Sequence, residues 1–391
     1  IDDDTPAEPF VTFTDDDEPI QPRGWLLGAT FCRRFISGTV GAGGTGKTAI
    51  RHAQLLSLAT GRSLTGEHVH QRARVLIVSL EDGQDELRRR IRAARLHHGI
   101  STDELSGWLH LATPGGRAGK LMELTKDGTR ARGPLYDTIC RTIEQKRIDV
   151  VSFDPFVKLH SLEENDNSAI DDLMVALTDI ADKYGVAVDL THHTRKGIGA
   201  PGDAEVGRGA SAVKDAMRLL STVATMTADE AKQFEIAEEQ RRKYVRLDSG
   251  KVNIAPAAGK AKWFKLVGVP LDNATEAHPN GDTVQTVEPW HPPDTWSDVS
   301  CDTLNRVLDD IAAGLPDGTR YSDASSATSR AAWKVVQKHA PDKSEHQART
   351  IIRTWVKTGV LVSSEYHDPS TRKQRQGLTV NDDKRPGDLQ P

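Results

Sequence analysis

The stretch G-A-G-G-T-G-K-T, residues 41–48, decides how the chain is read. It follows F-I-S-G-T-V at 35–40, a run rich in β-branched and aromatic residues, and precedes 49–59, which reads as a helix. A strand, a glycine-rich loop and a helix opening on Lys-Thr form the context of a phosphate-binding loop. Gly41, Gly43, Gly44 and Gly46 let the loop take positive φ angles and turn its amide N–H groups inward as an anion nest running on through Thr45 to Ala49. The helix N-terminus adds partial positive charge beneath the same phosphates. Lys47 is placed to reach the β- and γ-phosphates, and the Thr48 hydroxyl to hold Mg²⁺. The stretch implies binding of a nucleoside triphosphate.

Outward from this loop, strands and helices alternate. R-V-L-I-V-S-L at 74–80 is a continuous apolar run of the kind found in buried parallel strands, and it ends in Glu81-Asp82-Gly83. A charged amphipathic helix follows over 85–98, with Asp82 as its expected cap. Residues 108–112 read as a strand, 113–120 as a surface loop and 134–146 as a helix. The next buried strand, 148–153, ends at Asp154-Pro155. A helix over 168–184 carries Ile170, Leu173, Met174, Leu177 and Ile180 on one face. A strand over 186–191 then leads into His192-His193. This alternation predicts an α/β fold with a parallel sheet. In such sheets ligands bind at the carboxyl ends of the strands, where Lys47, Glu81, Asp154 and His193 all fall.

Each of these positions has a chemical reading and a plainer one. Asp154 closes an apolar strand as a Mg²⁺-holding acid does, although Asp before Pro also caps helices. Hydrolysis further requires a carboxylate to polarise water. Pro155 occupies the position beside Asp154 where many such enzymes carry it, so Glu81 on the adjacent strand is the substitute; otherwise Glu81 is a first-turn helix acid. His193 suits a γ-phosphate sensor at the sheet edge, or belongs to a surface pair. Arg208 and Arg218 are candidates for an arginine finger inserted into a neighbouring subunit, against the alternative of solvated arginines.

Composition bounds the rest. A length of 391 residues suits two or three domains, and a net charge of −5 confines any nucleic-acid contact to local patches. Cys32, Cys140 and Cys301 fit no disulfide or zinc spacing, which points to a reducing cytoplasm. No apolar run approaches a membrane span, so no membrane is expected as a partner. Residues 1–22 read as an acidic arm, mobile unless a neighbouring subunit holds it. The ATP-binding domain is expected over 23–270, with 194–209 as a mobile loop and 243–247 and 261–267 as paired late strands. Residues 271–299, with four prolines, read as a linker, 300–381 as a second domain and 382–391 as a disordered tail.

An ordered set of motifs reaches well past the phosphate loop. It comprises V-L-I-V-S-L-E-D at 75–82, F-D-P-F-V-K-L-H at 153–160, E-E-N at 163–165, H-H-T-R-K-G at 192–197, R-G-A-S at 208–211 and Asp215-x-x-Arg218. Q-R-R-K-Y-V-R-L at 240–247, G-K-V-N at 250–253 and K-W-F-K-L at 262–266 complete it. Over about residues 24–267 the chain resembles the RecA-like hexameric ATPases of the plasmid RepA replicative-helicase type. The resemblance implies a RecA-like core, a homo-hexameric ring, and ATP with Mg²⁺ at subunit interfaces. It implies that Glu81 is the catalytic base, Asp154 the Mg²⁺ acid and His193 the sensor coupled to DNA loops. It makes Arg218 the finger, with Arg208 second, and matches Arg90 to an arginine near the nucleotide. It turns Arg195 and Lys196 toward the central channel as contacts for single-stranded DNA, with Lys251 as a further candidate.

The chain extends beyond that likeness. Leu304, Val307, Leu308 and Ile311 share one helical face, as do Ala348, Ile351, Ile352, Trp355 and Val356. The second helix is followed by G-V-L-V, a basic turn at 372–375 and Leu378 to Val380, a pattern that predicts a winged helix. In that reading Arg349, Arg353 and Lys357 line a recognition helix, and Arg372, Lys373 and Arg375 form the wing tip; otherwise the module docks protein. The expected activity is ATP hydrolysis on single- or double-stranded DNA for a plasmid, phage or integrated element. The alternatives are a regulatory or defence ATPase that does not translocate, and phosphotransfer.

Overall fold

The structure is a computed structural model and describes residues 19–163, 166–193, 211–255, 260–293 and 299–387. Contacts divide these residues into two compact units, 19–227 with 238–291, and 228–237 with 292–387. The candidate positions Arg195, Lys196 and Arg208, most of the acidic arm, and residues 388–391 of the expected tail lie outside the described residues.

The first unit is built on a nine-stranded sheet. Its parallel part contains β3 (Ile36–Gly41), β4 (Val75–Ser79), β5 (Leu109–Ala112), β8 (Val150–Asp154), β9 (Ala187–His193) and β10 (Leu219–Thr225). These lie in the order β10-β3-β9-β8-β4-β5. Every residue of β4 is buried, because parallel strands are covered on both faces. On the far side of β10, β11 (Tyr244–Val252), β12 (Lys262–Pro270) and β13 (Thr283–Trp290) continue the sheet antiparallel. Two small hairpins stand apart from it: β1 (Trp25–Leu27) with β2 (Phe31–Cys32), and β6 (Met122–Leu124) with β7 (Arg130–Arg132).

Helices α1 (Lys47–Thr60), α2 (Gln84–His97), α4 (Pro134–Lys146) and α5 (Asn167–Tyr184) connect the parallel strands, and the short α3 (Thr102–Leu105) precedes β5. One apolar core packs α4 and α5 on one sheet face through Ile139, Ile143, Leu173, Leu177 and Ile180. A second joins α1, α2 and the β1–β2 hairpin on the other through Leu26, Leu55, Leu58, Leu87 and Ile91. The α/β core with its largely parallel sheet is therefore as expected, and the late strands at 243–247 and 261–267 do pair.

Three expectations are corrected. The first part of the expected disordered tail is a helical turn at Asp382–Lys384, followed by Arg385, which pairs with Asp309 at 2.8 Å. The central part of the supposed linker is β13, which pairs with β12 along its length and buries Thr286 and Val287. Pro289 and the prolines flanking the strand mask the alternating pattern, but a proline such as Pro289 is tolerated in an edge strand. Asp82 does not cap α2: the N-cap is Gly83, without a side-chain bond, and the Asp82 carboxylate turns to Arg90 instead.

The second unit contains α8 (Cys301–Ala313), α9 (Trp333–His339), α10 (Glu345–Thr358) and the hairpin β14 (Leu361–Asp368) with β15 (Lys373–Val380), besides α7 (Ala228–Gln233). Val307, Leu308, Ile351, Ile352, Trp355 and Leu378 share its core. The capping box of Ser344 with Gln347 starts α10, and Gly359 at φ 76° ends it. Among the described residues no helix is long and apolar enough to cross a membrane.

Candidate nucleotide-binding site

The site begins at the carboxyl end of β3. Gly41 closes the strand so tightly against β10 that a Cβ there would lie 2.5 Å from the Val223 carbonyl oxygen. Gly46, at φ 84°, is the N-cap of α1 and supplies the left-handed turn that starts the helix at Lys47. Lys47 is buried, and its Nζ donates to the carbonyl oxygens of Gly41 and Ala42, each at 2.7 Å. Burial lowers its pKa to about 8, although the nearby Asp154 carboxylate opposes the shift. A lysine held charged and poorly solvated beside a glycine loop is primed for an anion.

Thr48 follows, and its Oγ1 donates to Asp154 Oδ2 at 2.9 Å. Burial raises the Asp154 carboxyl to about 6, against the lowering influence of the Thr48 bond and of Lys47. Thr48, from the helix after β3, and Asp154, at the end of β8, thus bring two oxygens to one point. β9 lies between their strands in the sheet and ends at His193, beside the same space.

A cavity of about 480 Å³ opens over these groups. Gly44, Thr45, Gly46, Lys47, Thr48, Ala49, Glu81, Arg90, Asp154 and His193 all line it, so the structure brings together most of the positions singled out for the nucleotide, the metal and catalysis. Glu81 is exposed, just past the end of β4. Burial lowers the His193 pKa, as does the Lys47 charge, while Glu81 opposes them. Its neighbour His192 packs edge-on to Phe156 at 5.6 Å, and burial carries its pKa down to about 4. Arg90 is tied to Asp82 at 2.9 Å and to Glu86 at 3.2 Å.

Four contributions escaped sequence reasoning. His52 lies one helical turn beyond Thr48 and lines the cavity; burial and the Arg90 charge push its pKa down to about 3, so it is neutral. Its spacing from Thr48 was a legible signal. Ser79 and Glu86 also face the cavity, as do Thr283, Val284 and Gln285 at the start of β13, which lie in the segment read as a linker.

Beneath the loop runs a buried polar chain. Arg51 Nη2 pairs with Asp189 Oδ1 at 2.9 Å, both side chains being almost wholly buried. Ser37 and Ser152 donate to the same carboxylate at 3.1 and 2.8 Å, and Arg51 continues through Gln54 at 2.7 Å to Glu67, which also pairs with Lys262. α1, which carries Lys47, is thereby fastened to β9, which carries His193.

The remaining candidates stand elsewhere. Arg218 is exposed at the amino end of β10, one strand length from the loop that follows the carboxyl end of the adjacent β3. Lys251, on β11, donates to the Asp215 carbonyl oxygen at 3.1 Å. In the second unit Arg353, Lys357, Arg372 and Lys373 are exposed. Arg349 pairs with Glu345 at 2.8 Å and stacks over Trp333, and Arg375 pairs with the buried Asp368 at 2.7 Å. That arginine, followed by burial working the other way, leaves the Asp368 carboxyl well below the usual range.

A family model described as an AAA domain matches residues 3–199, about half of the 391-residue chain and the part that holds the phosphate loop, Glu81, Asp154 and His193. With that match and this cavity, the protein belongs to the AAA domain family and is a P-loop ATPase.

Proposed function

We propose that the protein is an ATP-hydrolysing RecA-like ring ATPase acting on DNA, of the RepA replicative-helicase type. The observation that carries the reading is the meeting of Lys47, Thr48, Glu81, Asp154 and His193 in one cavity at the carboxyl ends of parallel strands. The glycine loop and the α1 N-terminus bind the triphosphate, and Lys47 exchanges its two carbonyl partners for phosphate oxygens. Thr48 and Asp154 offer hard oxygen ligands to Mg²⁺, and the raised pKa of Asp154 marks a buried carboxylate short of positive charge. When bound, the ion would neutralise charge on the β- and γ-phosphate oxygens.

Glu81 accepts a proton from water as the water oxygen attacks the γ-phosphorus. The bond from that phosphorus to the β,γ-bridging oxygen breaks, and ADP and phosphate leave. Lys47 offsets the charge that develops. Arg218, far from the cavity of its own subunit, serves as the finger that completes a neighbour's site in a homo-hexamer. His193 reports the γ-phosphate to the residues that follow β9.

DNA binding draws support from the order of helices and hairpin in the second unit, read as a winged helix, and from the exposed cations Arg353, Lys357, Arg372 and Lys373. A second reading, a regulatory ATPase that does not translocate, is favoured by the pairing of Arg349 with Glu345 and Arg375 with Asp368, which weakens the basic surface.

The test is the ATPase rate with and without single-stranded DNA, on wild type and Glu81→Gln, with the particle mass measured on the same samples. Stimulation by DNA, loss of turnover in Glu81→Gln and a particle near six subunits are expected. A monomer that DNA does not stimulate would overturn the helicase reading and leave the regulatory one.

A further inference from the structure

Away from the nucleotide cavity, the outer side of α2 forms an arginine stripe. Arg88, Arg92 and Arg95 recur at helical spacing, and with Arg89 they line a second cavity of about 440 Å³ whose apolar lining includes Leu105 and Leu111. The stripe is incompletely neutralised. Arg88 faces Asp85 at 3.8 Å with both side chains exposed, Arg89 meets Glu86 and Asp282, and Arg92 makes no ion pair among the described residues. Leu111 is 38% exposed, a large apolar side chain on β5. β5 closes the sheet on this side and pairs with β4 alone among the described residues, so its other edge offers unpaired backbone groups.

The groove therefore asks for three things at once: acidic side chains, apolar side chains, and backbone able to pair with a strand edge. The sequence contains such a segment. P-F-V-T-F-T-D-D-D-E, residues 9–18, places five aromatic or β-branched residues directly before four consecutive acids. Four acids answer four arginines, and 10–14 has the composition that favours extended pairing. Reach is no obstacle. The eleven residues from Phe13 to Arg23 span about 36 Å when extended, against a radius of gyration of about 19 Å for a unit of this size.

We propose that residues 10–18 of this chain dock in this groove, with 10–14 alongside the free edge of β5 and Asp15, Asp16, Asp17 and Glu18 against the α2 arginines. This inference does not depend on the DNA-directed reading.

Hydrogen exchange on the full chain tests it. The amides of 11–14 are expected to exchange at least about tenfold more slowly than free peptide. Arg88→Glu/Arg92→Glu is expected to abolish that protection, and adding Asp16→Lys/Asp17→Lys to restore it. The restored variant also separates docking from a fold weakened by the α2 substitutions. Free-peptide exchange of 11–14 in the wild type, or protection that the charge reversal leaves unchanged, would overturn the proposal. Oxidative cross-linking of Phe13→Cys to Leu111→Cys then assigns the arm. An intrachain bond places it on its own subunit and a covalent dimer on another copy; either supports docking, and neither forming would refute it.

Discussion

Replacing Arg51 with Met tests the idea that one buried ion pair sets the nucleotide site. The Arg51 and Asp189 side chains are 2% and 0% exposed and lie 2.9 Å apart, so water screens neither. Met fills much of the arginine stem's volume but leaves Asp189 a buried carboxylate supported, among the described residues, by the Ser37 and Ser152 hydroxyls. Removing one member of such a pair costs about 3–5 kcal/mol, a large share of the ~5–15 kcal/mol that holds a domain folded. At roughly 2 °C per kcal/mol for a unit this large, the melting temperature falls by about 6–10 °C. The assay follows the melting transition that ATP and Mg²⁺ shift, since that transition belongs to the nucleotide-binding unit. Arg51→Met/Asp189→Asn removes both charges and should recover at least ~2 kcal/mol over the sum of the single variants. A shift below about 2 °C for Arg51→Met, or strict additivity in the double variant, would refute the reasoning.

Three further outcomes are expected. Nucleotide affinity of the free chain in the presence of Mg²⁺ should peak between about pH 6 and pH 8. Asp154, raised to about 6, is neutral below that pH, and Lys47, lowered to about 8, loses its charge above it. A fluorescent ATP analogue titrated from pH 5 to 9 reads both limbs, Asp154→Asn should erase the acid one, and a monotonic profile would contradict the assignment. Gly41→Ala drives a methyl group into the Val223 carbonyl and should cost about 1–3 kcal/mol. Gly43→Ala, whose Cβ meets open space, should stay within about 0.5 kcal/mol in the same melting experiment. Arg353→Ala/Lys357→Ala should reduce the salt dependence of DNA affinity by about one to two in log–log slope, whereas Arg349→Ala, already paired with Glu345, should change it less.

The parts of this protein that the sequence determined alone are those governed by local rules. A glycine-rich loop between a β-branched run and a helix is legible because the nest, the dipole and the Lys-Thr pair occupy consecutive positions. Strands such as 75–79 and 150–154 are legible because burial on both faces leaves them mostly apolar, V-L-I-V-S and V-V-S-F-D. Placing Glu81, Asp154 and His193 at strand ends then predicted one shared site, since parallel strands share a carboxyl edge.

Only the tertiary structure decided what depends on distant segments meeting. β13 looked like a linker because Pro289 and the prolines around the strand hide the alternating pattern, and what makes it a strand is pairing with β12. Asp82 carries a cap's residue type, but Arg90, eight positions on, takes its carboxylate. Asp189 lies inside a buried strand, and its partner comes from elsewhere in the chain, when α1 folds over the sheet and brings Arg51 within 2.9 Å. Arg349 and Arg375 look like free cations until Glu345 and Asp368 are seen beside them. A charge's worth is set by its partner and its exposure to water, and both are properties of the folded chain.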